Sequence, residues 1–328
     1  MTSPNLDVVA IGDAIVDVIA TCDDDFIVAR GLTKGSMQLL TTEQADELYA
    51  AMGPAREISG GSAANSMAGV AALGLNAGFV GQVADDQLGE IFAHDMHSLG
   101  VHFETTRMAS PPPTGRCLIL VTPDAQRTMN TSPGASHELT SEALDEDMIR
   151  AASVTFLEGY LWGPERPRQA MLKAAEIAHS ARRMVAFTLS ESLCLGDRRR
   201  GVQQMIDDGV VDILFGNEDE IRHLTGCGEI NDCILALAGK VDQLVITRGA
   251  AGALAAFRDH VVEVPAVPVD KIVDTTGAGD LFAAGFLSAM CRGRSVRDCL
   301  EAGSLCAAEI ISHFGARPEA DLKQLVDL

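Results

Sequence analysis

Near its carboxyl end the sequence reads Val273-Asp-Thr-Thr-Gly-Ala-Gly-Asp-Leu-Phe282, between an extended segment and a helix of small and apolar residues. Gly277, Ala278 and Gly279 allow backbone N–H groups to turn inward at the helix start, where the helix dipole places about half a positive charge and anions bind. Asp280 follows in the first turn, where a carboxylate stays ionised and can accept a proton from an attacking hydroxyl. An ordinary glycine-rich turn with an acidic helix start has the same pattern, so this stretch alone leaves both interpretations open.

Upstream of this stretch, short apolar runs alternate with helical patterns. From residue 150 onward we predict strands at 153–158, 184–189, 211–215 and 242–247 and helices at 166–180, 198–208, 218–224 and 230–238. A hairpin at 252–264 and two long helices, 278–291 and 295–312, follow. The alternation predicts an α/β fold, a doubly wound, mostly parallel sheet with helices on both faces.

The amino-terminal half adds a second feature to this plan. A buried strand at 7–12, helices at 41–52, 62–73 and 86–99, and a strand at 77–83 continue the α/β pattern. Residues 13–40 and 101–135 are instead rich in β-like runs, including 116–122 and 127–131. We therefore expect one domain over residues 1–328 that carries a small β lid from these two regions.

Composition limits the partners. The net charge is −21, which argues against nucleic acid because duplex binding depends on clustered Lys and Arg. The sequence has no signal-peptide pattern and no apolar run long enough to span a membrane. Its eight cysteines form no CxxC pair, as expected of reduced thiols in the cytoplasm. We expect a cytoplasmic protein that binds small molecules, as a monomer or a homodimer.

Three further stretches carry candidate chemistry. Ser59-Gly-Gly-Ser-Ala-Ala-Asn65 places paired glycines, which permit close backbone approach, before an Asn that can donate to and accept from hydroxyls. Asn217-Glu-Asp-Glu220 is also typical of a capped, acidic helix start, and Thr247-Arg-Gly-Ala-Ala-Gly252 of a strand-ending turn. The first stretch could equally be close packing of a small-residue helix.

Taken in order, these stretches resemble the signatures of the PfkB, or ribokinase-like, kinase family. The resemblance implies that Asp280 is the catalytic base and that the amides of Gly277, Ala278 and Gly279 form an anion hole. It further implies a phosphate-acceptor site formed by Asp13, Asp17, Gly60, Gly61, Ser62 and Asn65.

The resemblance also implies Mg-ATP as the phosphoryl donor. The residues implied in ATP binding are Asn217, Thr247, Gly249, Gly252 and Arg127. Glu220 would organise Mg²⁺ through water, and a monovalent-cation site for K⁺ would use Asp274, Thr276 and Gly315.

Within the family the chain looks similar to adenosine kinases, on Asp25-Phe26, Gly35-Ser-Met37, Pro113-Thr-Gly-Arg-Cys117 and Glu158-Gly-Tyr-Leu-Trp162. One departure is Asp13, where adenosine kinases usually carry Asn. The apolar candidates for an acceptor pocket are Met37, Leu39, Leu118, Leu120, Tyr160 and Leu161, although the same residues could simply pack the lid.

The predicted activity is therefore phosphorylation of a nucleoside 5′-hydroxyl. A ribose- or fructose-type sugar kinase and a non-catalytic nucleoside- or sugar-binding protein are the alternatives. A Rossmann dehydrogenase is excluded, because the first strand ends in Gly-Asp-Ala-Ile rather than GxGxxG. A P-loop kinase is excluded because the sequence contains no GxxxxGK[ST].

Overall fold

A computed structural model describes residues 6–190, 198–257 and 260–327. The strands are β1 Val8–Ile11, β2 Ile15–Thr21, β3 Met37–Leu39, β4 Ala55–Gly60, β5 Ala77–Val80, β6 Val101–His102, β7 Gly115–Val121, β8 Arg127–Ser132, β9 Val154–Glu158, β10 Met184–Thr188, β11 Ile213–Asn217, β12 Gln243–Thr247, β13 Ala253–Phe257 and β14 His260–Val264. The helices are α1 Asp24–Ala29, α2 Thr42–Ala51, α3 Ser62–Ala72, α4 Gln87–Ser98, α5 Glu146–Ala151, α6 Glu165–Ser180, α7 Arg199–Asp207, α8 Glu218–Thr225, α9 Ile230–Leu237, α10 Ala278–Cys291, α11 Val296–Ile310 and α12 Leu322–Val326.

Among the described residues, nine strands form a large sheet in the order β14-β13-β12-β11-β10-β9-β1-β5-β6. The strands from β12 to β6 pair in parallel, and β13 and β14 add an antiparallel edge. The predicted mostly parallel sheet is confirmed. The turn of the predicted hairpin, at 258–259, lies outside the described residues, as does Cys194.

Side chains of the large sheet alternate between two cores, one on each face. On β1, Val8 and Ala10 join the core that contains α3, α10 and α11, whereas Val9 and Ile11 join the core of α6 and α7. This alternation is the period-2 pattern of a strand buried on both sides. Helices cover both faces of the sheet, as predicted.

Strand order reverses between β1 and β9. The chain continues from β1 outward to β5 and β6 on one side, and from β9 outward to β10, β11 and β12 on the other. Loops that leave the carboxyl ends of β1 and β9 therefore diverge and open a crevice, where ligands bind in open α/β sheets. The residues at that crevice are Gly12, Asp13 and Glu158.

A small sheet of five strands, in the order β3-β8-β7-β2-β4, lies apart from the large sheet. Four of its strands come from the regions with β-like runs. The fifth, β4, was not predicted, and it leads directly into Gly60 and Gly61. Strand β6 instead pairs with β5 in the large sheet. That the small sheet acts as a lid on a single domain stays a prediction.

The helices that carry the two glycine-rich stretches pack closely against each other. At Gly69 of α3, an added Cβ would lie 2.7 Å from the Cβ of Ala284 and 2.8 Å from Cδ1 of Leu281 on α10. Both helices are almost wholly buried. The small residues of α3 therefore bring its first turn close to the first turn of α10. Among the described residues, no helix combines the length and apolar character needed to cross a membrane.

Gly69→Val should separate these helices. The added side chain meets packed atoms on α10, and overpacking of this kind costs about 1–3 kcal/mol. We expect the free energy of unfolding, measured by chemical denaturation, to fall by about 2 kcal/mol. Gly228→Val is the control, because an added Cβ there meets nothing within 4 Å. Equal effects at the two positions would contradict close packing at Gly69.

Candidate active site

Asp280 lies in the first turn of α10 and is held by the first turn of α3. Ser62 Oγ donates to Asp280 Oδ1 at 2.6 Å, and Asn65 Nδ2 donates to Oδ2 at 2.9 Å. Burial raises the pKa of Asp280, while these two hydrogen bonds and the charge of Arg317 oppose the rise. The carboxylate is thus fixed by two donors and desolvated, as suits a proton acceptor.

The helix start before Asp280 offers backbone donors. Gly277 adopts a left-handed conformation with φ of 79°. Among the described residues, the N–H groups of Gly277 and Gly279 have no hydrogen-bond partner, whereas that of Ala278 donates to Thr275 O at 3.2 Å. Two of the three predicted anion-hole amides are therefore free to bind an anion.

Asp17 reaches the same site from β2 of the small sheet. Its carboxylate fills the space left by Gly60, where an added Cβ would lie 2.6 Å from the carboxylate carbon. The pKa of Asp17 is raised to about 6, mainly by burial; the charges of Arg317 and Arg127 oppose the rise, and the charge of Asp280 adds to it. Asp17 is thus a partly desolvated carboxylate beside Asp280.

Glu158 joins the carboxyl end of β9 to β1 and α3, and we did not assign it a role from sequence. Its Oε1 accepts from the N–H of Asp13 at 2.5 Å, and its Oε2 accepts from the N–H of Ala63 at 2.7 Å. A Cβ at Gly12 would lie 2.7 Å from Oε2. Burial, followed by the charge of Asp13, raises the pKa of Glu158 well above its usual range.

Asp13 is buried beside the start of α3. The Oγ of Ser136 donates to its Oδ1 at 2.9 Å, and Nε2 of His137 lies 3.9 Å from the same oxygen. Gly61, with φ of 95°, is needed here because an added Cβ would lie 2.2 Å from the carbonyl oxygen of Asp13. Burial raises the pKa of Asp13 and lowers that of His137.

Arg317 is a second site residue that sequence reasoning missed. Its guanidinium donates to Oδ1 of Asn65, and Nη2 donates to Ser59 O at 2.8 Å and to Ser59 Oγ at 3.0 Å. The available signal was its position two residues after Gly315, in the loop that we predicted to bind a cation. The sequence around Arg317 gives no sign that its partner is Asn65, 252 positions away.

The predicted nucleotide residues lie at neighbouring strand ends. Asn217 at the end of β11 pairs in register with Thr247 at the end of β12. Asn217 also caps α8, and its N–H and Nδ2 donate to the two carboxylate oxygens of Glu220, each at 2.9 Å. Glu220 is buried, and its carboxylate suits a Mg²⁺ that keeps most of its own waters.

The turn after β12 carries the other two predicted glycines. At Gly252, φ is 91° and an added Cβ would lie 2.1 Å from Val264 O, so the strand-ending turn itself requires a glycine there. Gly249 has φ of 53° and open space around its Cα. Of the two, Gly249 is the one that leaves room for a ligand beside Thr247.

The carboxylate of Asp274, predicted to bind a monovalent cation, has partners on both oxygens in this arrangement. Oδ1 of Asp274 accepts from the N–H and Oγ1 of Thr276 at 3.0 and 2.7 Å, and Oδ2 accepts from the N–H of Gly315 at 2.9 Å. Nη1 of Arg127 lies 2.7 Å from Oδ2, and its guanidinium covers the ring of Phe314. Donors occupy both oxygens, and Arg127 supplies the positive charge.

The apolar candidates for an acceptor pocket divide into two groups. Three are wholly buried in the cores: Leu118, Leu120 and Leu161. Three keep exposed surface: Met37, Leu39 and Tyr160. The prediction that the first three line a pocket is wrong, because they pack within the protein, as the alternative interpretation held.

Comparisons with known proteins give the family and the relatives of this chain. A family model described as the pfkB family carbohydrate kinase matches residues 5–322. An adenosine kinase from Sinorhizobium meliloti has 44% identity and a TM-score of 0.91, with 98% of each chain covered. A probable sugar kinase protein from Rhizobium etli CFN 42 has 42% identity and a TM-score of 0.92, covering 100% of this chain and 98% of its own. An ATP-dependent ribose-1-phosphate kinase from Halopiger xanaduensis is 31% identical over 304 residues, 90% of this chain and 96% of its own.

Asp17→Asn should stabilise the fold at alkaline pH. The folded pKa of Asp17, about 6, lies above its ordinary value of 3.8, so the stability that protonated Asp17 contributes is complete below pH 4 and is lost as pH rises through 6. At pH 8 the free energy of unfolding of the variant should exceed that of the parent by about 1–3 kcal/mol. Near pH 4 the two free energies of unfolding should be equal. Urea titrations across this range, with exposed Asp25→Asn as control, measure the difference. A gain that does not depend on pH would contradict the assignment.

Proposed function

The chain belongs to the pfkB family of carbohydrate kinases, and on this premise we propose that it transfers the γ-phosphoryl group of ATP to a primary hydroxyl of a nucleoside. The observation that carries the proposal is the placement of Asp280. Its two oxygens are fixed by Ser62 and Asn65, and it follows directly on the free N–H groups of Gly277 and Gly279. A proton acceptor and an anion site therefore lie within one helical turn.

The proposed reaction is an in-line displacement. The acceptor oxygen attacks the γ-phosphorus, its proton passes to Asp280, and ADP leaves with the electron pair of the broken bond between the β,γ-bridging oxygen and the γ-phosphorus. The amides of Gly277 and Gly279 donate to the oxygens of the transferring group, where negative charge must be stabilised. Burial raises the pKa of Asp280 towards that of a more effective base.

The donor site is proposed at the ends of β11 and β12, with Asn217, Thr247 and Gly249 beside the nucleotide. The family implies the use of ATP and a divalent metal. Mg²⁺ held through water by Glu220 would neutralise charge on the phosphate oxygens. Activation by K⁺ stays a prediction with one condition, that Arg127 must first leave Asp274.

The acceptor is proposed to bind between the small sheet and the start of α3. Asp17 and Asn65 would hold hydroxyls of the acceptor, as the family resemblance implies. The small sheet would close over the acceptor and exclude water. Similarity to an adenosine kinase at 44% identity supports a nucleoside.

A sugar acceptor is the second candidate, favoured by two observations. Asp13 is a carboxylate, which only accepts hydrogen bonds when ionised, so it suits a ligand rich in O–H donors. Burial of Leu118, Leu120 and Leu161 also removes half of the apolar wall that a nucleobase would use. Similarity to the ribose-1-phosphate kinase points in the same direction.

Asp280→Asn tests the chemistry. The variant keeps the shape of the side chain but loses the proton acceptor, and general-base catalysis is worth roughly 10²–10⁴-fold. We expect kcat to fall by that factor while ATP binding, measured by calorimetry, persists. Asp232→Asn on the exposed face of α9 is the control. Near-parental turnover in Asp280→Asn would remove this residue from the role.

A panel of acceptors tests the substrate class. Adenosine, inosine, guanosine, ribose, ribose 1-phosphate and fructose should be compared by kcat/KM under one Mg-ATP concentration. We expect a nucleoside to be used best. If any sugar exceeds every nucleoside by tenfold, about 1.4 kcal/mol in transition-state binding, the sugar-kinase alternative is correct. ATP binding without turnover on any acceptor favours the binding-protein alternative.

A further inference from the structure

Arg317 lies behind Asp280 and is joined to it through a single side chain. The guanidinium donates to Oδ1 of Asn65, and Nδ2 of the same Asn65 donates to Oδ2 of Asp280 at 2.9 Å. Ser59 anchors the other end of the guanidinium through its carbonyl oxygen and its Oγ. Hydrogen bonds thus run in one line from Ser59 through Arg317 and Asn65 to Asp280.

This line admits only one orientation of the Asn65 amide. Arginine can only donate and an ionised carboxylate can only accept, so the amide must turn its oxygen to Arg317 and its NH₂ group to Asp280. If Arg317 were absent, the amide of Asn65 could turn its NH₂ group towards the position of Arg317 without losing a hydrogen bond there. Arg317 therefore strengthens the preference for the orientation in which Asp280 meets a donor.

The arginine occupies this position at a cost. Its Nε atom is buried and has no hydrogen-bond partner within the described part of the chain, although buried polar atoms usually have one. Burial also lowers the pKa of Arg317, against the opposing charges of Asp17, Asp280 and Asp95. The carboxylates of Asp17, Asp280 and Asp95 that face the guanidinium offset this cost through their charge.

We propose that Arg317 is a positioning residue which, through Asn65, holds Asp280 as an oriented and ionised proton acceptor. The catalytic consequence rests on the phosphoryl transfer proposed above. The charge and orientation of Asp280 do not depend on that function, because they follow from contacts among residues of the chain.

The charged groups that face Asp280 make the direction of the effect clear. Asp17 approaches from β2 and Glu158 from the end of β9, and the charge of Asp280 raises the pKa of each. Arg317 comes from the loop after α11 and opposes the burial that raises the pKa of Asp280. Arg127, from β8, faces Asp17. Loss of Arg317 leaves three carboxyl groups around one site without its charge, so Asp280 must hold its proton more tightly.

Arg317→Gln tests this directly. On the best acceptor of the panel, the acid limb of the pH profile of kcat/KM should move upward by about one pH unit or more. In Arg317→Lys, which keeps the charge, the acid limb should lie close to its pH in the parent. Arg292→Gln removes a cation at the opposite end of α10 and is the matched control. An acid limb that does not move in Arg317→Gln overturns the proposal, even if kcat falls.

Asn65→Ala breaks the same line from its other side. If Arg317 acts through Asn65, this variant should also move the acid limb upward, and adding Arg317→Gln to it should shift the limb by clearly less than in the parent. Full additivity would mean that Arg317 acts independently of Asn65. If Arg317→Gln does not fold, Arg317→Met, which also removes the charge but keeps an unbranched side chain, takes its place in every comparison.

A second measurement needs no turnover. The gain in unfolding free energy from Asp280→Asn should grow from about pH 4 upward until Asp280 is ionised in the folded chain. In the Arg317→Gln background that growth should continue to higher pH, whereas an unchanged profile overturns the proposal. An active kinase is not required, so absence of phosphoryl transfer with a shifted stability profile would refute the function and keep the assignment of Arg317.

Discussion

The hydrogen bonds from Ser62 and Asn65 to Asp280 are the interaction on which the site depends. They join the first turns of α3 and α10, which are more than 200 residues apart in sequence. The contact is possible because the two helices approach closely, with no space for a Cβ at Gly69. The helix start proposed to bind the phosphoryl group and the helix start proposed to bind the acceptor therefore meet beside the crevice where strand order reverses.

The same contact concentrates negative charge. Four carboxyl groups with raised pKa lie around the start of α3: Asp13, Asp17, Glu158 and Asp280. The charges of Arg317 and Arg127 oppose the rise in the pKa of Asp17. Arg317 also binds Ser59, and Arg127 also pairs with Asp274. Burying several carboxyl groups together lowers the stability of the fold. Such a loss of stability commonly accompanies an active site that holds reactive groups in place. In the proposed reaction, backbone dipoles rather than net charge would attract the phosphate, because the charge of the chain is −21.

Sequence patterns predicted the large sheet and its helices well, because burial on both faces and helix capping leave local signals. Strand β4 was missed because it is a half-exposed edge strand with charged residues in its first half, and α1 because it spans six residues. Asp280 and Asn65 were predicted correctly as neighbours of glycine-rich turns, because glycines in a sequence indicate an unusual backbone conformation. Glu158 and Arg317 received no role, because the partner of a buried charge is set by tertiary contacts. Leu118 was misplaced for a related reason: alternation indicates which face of a strand is apolar but not what covers that face.

The packing of Asp17 against Gly60 has a consequence for how such a site can change over time. Any residue with a Cβ at position 60 would place a carbon 2.6 Å from the Asp17 carboxylate, so the carboxylate would have to move out of the site. A shorter residue at position 17 would in turn leave a void beside the glycine. The two positions, on paired strands of the small sheet, are therefore expected to be replaced together in lineages that adopt a different acceptor.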